Sequence, residues 1–105
     1  MPASLDNAPA GKRSPFERAL RELARTVAVA ARQKTDLTES ARARVTVVTH
    51  LLFEAAALEF AGKSRHALAF WEIAFEALSK LSAKHGLGVA GPALDVWDLA
   101  PKEDT

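Results

Sequence analysis

Three short groups of residues carry side chains with chemical potential. Gly62-Lys63-Ser64 matches the end of a phosphate-cradling loop. That loop needs a further Gly five residues before Gly62, where this chain has Ala57, and a preceding strand. The segment therefore reads as a tight turn between two helices, and no nucleotide is expected on it. His50 and Glu54 stand four residues apart, so on a helix they share a face and form half of a metal site. A di-iron bundle needs Glu-x-x-His motifs on facing helices. The residues three before His50, His66 and His85 are Val47, Lys63 and Ser82, which do not fit. The chain has no Cys, which removes thiolate ligands and disulfides. No metal site, cofactor or small-molecule substrate is expected.

The third group is basic. Arg18, Arg21, Arg25 and Arg32 fall on one side of a helical wheel and form a patch that could track phosphates. Glu17 and Glu22 lie beside it, and the chain's formal net charge is only +1. No recognition helix with a base-reading Asn, Gln or Arg follows a short turn. A solvated helix face is the expectation, and nucleic acid is not the expected partner.

Two resemblances to known families follow from spacing. Arg44 and His50, separated by five residues, resemble the signature of the HEPN superfamily of small α-helical ribonucleases. The resemblance implies a dimer in which His50 transfers the proton and Arg44 stabilises the phosphate. Val45 stands where that family carries a polar residue. The two side chains also lie about 120° apart on a straight helix. A nucleic-acid-binding or HEPN-like RNA-cleaving dimer is thus the alternative reading. Residues 51–81 resemble one tetratricopeptide repeat, with Ala55, Leu58, Gly62, Ala67, Trp71 and Ala74 at the signature positions. This implies a close-packed antiparallel hairpin of a family that binds peptides and proteins.

The elements that must position these residues are helices. Ala occurs 22 times and Leu 13 times in 105 residues, charged residues make up 26%, and only five residues are Gly. Such a composition favours helix over sheet in a single domain. No apolar run approaches the roughly 20 residues of a membrane span. A soluble, cytoplasmic, all-α protein is expected. Residues 1–13 read as a disordered lead-in, with Pro2, Asp6, Asn7, Pro9 and Gly11 and little apolar mass.

The fold expected is a three-helix antiparallel bundle with helices at about 15–34, 37–61 and 65–85, forming a domain over 14–86. Helix one opens on Ser14, Pro15 and Glu17, a capping box with Pro at the first position. Its apolar stripe is Phe16, Leu20, Leu23, Val27 and Ala30. Asp36 with Glu39 suggests a second capping box, and Gly62 suits the end of helix two. That helix has two apolar faces. Leu37, Ala41, Val45, Val48, Leu52 and Ala55 form one; Phe53, Ala57 and Phe60 form the other. It is therefore the expected central element. Ser64 is expected to cap helix three, whose apolar face holds Ala67, Phe70, Trp71, Ala74, Phe75, Leu78 and Leu81. Residues 87–105 read as a flexible tail carrying an apolar segment at 92–99, either one or two helical turns or an extended strip laid on the bundle. There Trp97 is expected to dock, either on its own chain with Asp95 and Asp98 near the basic face of helix one, which is the favoured arrangement, or on a partner steered by the acidic tail.

Charge is uneven. Residues 12–44 hold nine basic and four acidic side chains, net +5; residues 50–105 hold five and eight, net −3. Such a layout can orient association. With no complete catalytic set, the expected function is a non-catalytic protein–protein interaction module: an adaptor, regulator or accessory subunit, associating with a protein partner or with itself. Phe53, Phe60, Phe70, Trp71, Phe75 and Trp97 are the expected interaction residues, since aromatics favour interface anchors.

Overall fold

The computed structural model describes residues 14–101. The expected disordered lead-in at 1–13 lies outside the described residues. The described chain is all-α, but it has four helices where three were expected. They are α1 (Pro15–Gln33), α2 (Glu39–Phe60), α3 (Ser64–His85) and α4 (Ala90–Leu99). Helix α2 packs along both α1 and α3, and α4 packs against α1 and α3. The four helices thus close around one core, with Trp71 fully buried within it.

Each junction has a local cause. Ser14 caps α1, its hydroxyl accepting from the Glu17 N–H at 3.0 Å, and Pro15 sits where its missing N–H costs nothing. The cap of α2 is Thr38, not Asp36: Thr38 Oγ1 accepts from the Ala41 N–H at 3.1 Å. Leu37 is buried at the position just before the cap, where an apolar residue fixes the entry of the chain into the helix. Arg42, one turn into α2, reaches back to the end of α1. Its guanidinium donates to the carbonyls of Lys34 (2.8 Å) and Ala31 (3.4 Å) at the end of that helix, where carbonyls lack the full set of intrahelical partners.

Helix α2 ends in a full Schellman motif. Lys63 N–H donates to the Leu58 carbonyl at 2.8 Å and Gly62 N–H to that of Glu59 at 3.0 Å, with Gly62 at φ +81°. Ser64 does not cap α3. It is the first helical residue, and Lys63 precedes it without a side-chain cap bond. The turn is so short that Lys63 N–H is already committed to closing α2.

The fourth helix replaces the expected flexible tail. Gly86 takes a left-handed conformation that ends α3, Leu87 and Val89 turn inward, and α4 begins at Ala90. Pro92 falls in its first turn, where no intrahelical donor is lost. Val89, Ala93, Val96 and Ala100 are all buried. Their spacing of four, three and four residues is the period of a helix lying on a core. Two of the four are Ala, so the stripe is faint in a reading that counts large apolar residues. The large ones, Leu94 and Leu99, point outward. Pro101 follows the last turn and prevents its continuation.

Candidate interaction surfaces

The six aromatics expected to form an interface separate into two groups. Trp71, Phe75 and Trp97 form a ring cluster with centroids 5.5–5.6 Å apart and tilted or edge-on planes, geometries that aromatic quadrupoles favour. Trp71 is fully buried and Phe70, Phe75 and Trp97 pack partly buried against the core. Trp71 is therefore not available to a partner. Trp97 docks on its own chain, its ring against Trp71 and Phe75 of α3.

Phe53 and Phe60 form the second group. They stay 39% and 37% exposed, with exposed Ala57 between them. The i, i+4, i+7 spacing makes these three one stripe along α2. The other expected face of α2, from Leu37 to Ala55, is buried throughout. Ala55, Ala67 and Ala74 are buried with Trp71 where α2 meets α3, and Leu58 is half-buried above the Gly62 turn.

The arginine patch is partly tied down. Arg21 is held by a short ion pair to Glu17, which is itself buried on the core side of α1. Arg25 pairs with Glu22 at 3.4 Å on the open surface, a contact worth little in water. Arg18, Arg25 and Arg32 are exposed. Arg44 and His50 are exposed residues of α2, and six residues of straight helix direct them to different faces. His50 and Glu54 gain no third ligand: among the described residues no group of three or more His, Asp or Glu could hold a metal ion.

One surface was absent from the expected set. Between α2 and α3 runs an open groove of about 450 Å³. Apolar Val47, Val48, Ile73, Ala77 and Leu81 line it, Val48 and Leu81 buried at its base, with Arg44, Glu76, Lys80 and Lys84 along the edges. Glu76 and Lys80 pair across one turn at 3.7 Å. Arg44 and Lys84 make no ion pair among the described residues. The signal was present in the sequence. Val47 lies off the buried stripe of α2, and Ile73 shares its side of α3 with the charged residues Glu72, Glu76 and Lys80.

No described helix is long and apolar enough to cross a membrane. Compared with family models, with curated proteins and with solved structures, the chain matches none of them.

Proposed function

We propose that this protein is a non-catalytic helical interaction module that forms a homodimer through the outer stripe of α2. The observation that supports this reading is the Phe53–Ala57–Phe60 stripe. Two phenylalanines left in water on one helix face are the kind of feature that marks an interface. A small residue between them lets a second helix approach closely. Because both copies offer the same stripe, a two-fold pairing of α2 with α2 is self-complementary. The close-packed α2–α3 hairpin, with its likeness to one tetratricopeptide repeat, fits a role in protein binding. An adaptor, regulator or accessory subunit in the cytoplasm is the corresponding cellular role.

Light scattering tests the dimer. The expected mass at tens of micromolar is that of two 11.3 kDa chains. Phe53→Glu with Phe60→Glu should return it to one chain with helical circular dichroism unchanged, since neither ring is core. A one-chain mass for the unmodified protein rejects the dimer.

A further inference from the structure

The four most exposed large apolar side chains among the described residues lie in two places. Val47 (56%) and Ile73 (57%) open the α2–α3 groove; Leu94 (57%) and Leu99 (47%) stand on the outer face of α4. The charges beside them are opposite. The groove rim holds Arg44, Lys80 and Lys84 against one Glu76, net +2. The outer face of α4 holds exposed Asp95 and Asp98, net −2, and residues 90–101 contain no cation. At about 100° per residue, Leu94, Asp98, Asp95 and Leu99 follow one another around roughly 140° of α4. The face is a pair of carboxylates between two leucines, with Gly91 adding no bulk at its centre.

One molecule cannot bring these surfaces together. On α3, Ile73 points about 160–200° away from Trp71 and Phe75, and Trp97 holds α4 on the Trp71–Phe75 side. We propose that the α2–α3 groove of one molecule receives the outer face of α4 from a second copy. Leu94 and Leu99 lie on Val47 and Ile73, and Asp95 and Asp98 face Arg44 and Lys84. This is helix-in-groove recognition, with complementary charge setting the register. Because donor and acceptor surfaces differ and point apart, the contact is head-to-tail and adds copies in a ring or open chain. One short helix face buries less than a standard interface, so the contact is weak and concentration-dependent. It is independent of the α2 stripe.

Sedimentation at low salt, from about ten micromolar to about one millimolar, covers the affinities expected of so small an interface. The unmodified protein should grow in mass beyond the species that the α2 stripe forms, and added salt should reverse the growth. Arg44→Glu with Lys84→Glu, or Asp95→Lys with Asp98→Lys, should each weaken this growth about tenfold, because like charges then meet. Mixing the two variants should restore it, since the reversed groove now matches the reversed helix. All four residues are exposed, so helicity should not change. Leu94→Ser with Leu99→Ser gives the same loss without altering charge. No mass growth in the unmodified protein, or growth unaffected by either charge reversal, overturns the proposal. Loss in both variants without recovery on mixing also overturns it, and would mean the groove and α4 serve separate partners. The Phe53→Glu, Phe60→Glu protein should keep the head-to-tail growth, so failure of one contact is distinguishable from failure of the other.

Discussion

Helices α1 and α4 pack against the same bundle in opposite ways. Helix α1 buries its large side chains, Phe16, Leu20, Leu23 and Val27, and turns most of its arginines to water. Helix α4 buries Ala93, Val96 and Ala100 and turns Leu94 and Leu99 outward. The difference follows from the space each meets. Helix α1 lies along α2, whose buried residues include the small or β-branched Ala41, Val45, Val48 and Ala56. Large residues from α1 fill the space beside them. Helix α4 instead lies against α1 and α3, where the Trp71 and Phe75 rings already take up volume. Ala93 and Ala100 let its backbone come close at the density of a protein interior, and Trp97 completes the ring cluster beside them. Which side chains a helix buries is thus decided by the volume left by its neighbours as well as by hydrophobicity.

The largest expected effect joins the two regions. Trp71 is fully buried and contacts Trp97 of α4, so Trp71→Ala should destabilise by about 3–5 kcal/mol through loss of burial and a residual cavity. Urea or thermal unfolding measures it. A shift of only a few degrees would mean that the ring cluster is not the joint between α4 and the bundle.

Next comes the inner face of α4. Ala93→Leu adds bulk at a buried position, and overpacking of this kind costs about 1–3 kcal/mol. The unfolding midpoint should fall by more than for any conservative change on the outer face. An unchanged or raised midpoint would show spare room beneath α4, and the contrast with α1 would then not be one of volume.

These effects also explain what the sequence revealed and what it hid. The turns at Ser14, Gly62 and Gly86 were legible because capping and left-handed backbone demand particular residue types. The buried faces of α1 and α2 were legible because their large residues recur at helical spacing. Asp36 misled as a cap because Thr38 stood two residues further on and took the role; Ser64 misled because the Gly62–Lys63 turn leaves it inside α3. Helix α4 was missed because half its buried stripe is Ala, and Ala carries little pattern. The α2–α3 groove was missed for the opposite reason. Val47 and Ile73 are apolar residues beside charged ones, and only the placement of two helices brings them together. Phe53, Ala57 and Phe60 were legible as a second apolar face of α2, but only the placement of its neighbours decides that they stay exposed.

The smallest expected effect is the sharpest check on the comparison. Leu94 is a large apolar residue in a short helix, and hydrophobicity alone would make it the anchor of α4. Its side chain is exposed, so Leu94→Ala removes little buried surface and leaves no cavity. Ala also has a slightly better helix propensity than Leu. The change in stability should stay within about 0.5 kcal/mol, as for other surface substitutions. Arg25→Ala on the open face of α1 should fall in the same range, because its pair with Glu22 is solvent-exposed. The two variants therefore match in stability although one loses a leucine and the other an arginine. Measured on dilute protein, where head-to-tail growth is absent, a Leu94→Ala loss of 1 kcal/mol or more would place Leu94 among the residues that hold α4 down. The outer face of α4 would then be part of the fold, and no longer a surface free to meet a second copy.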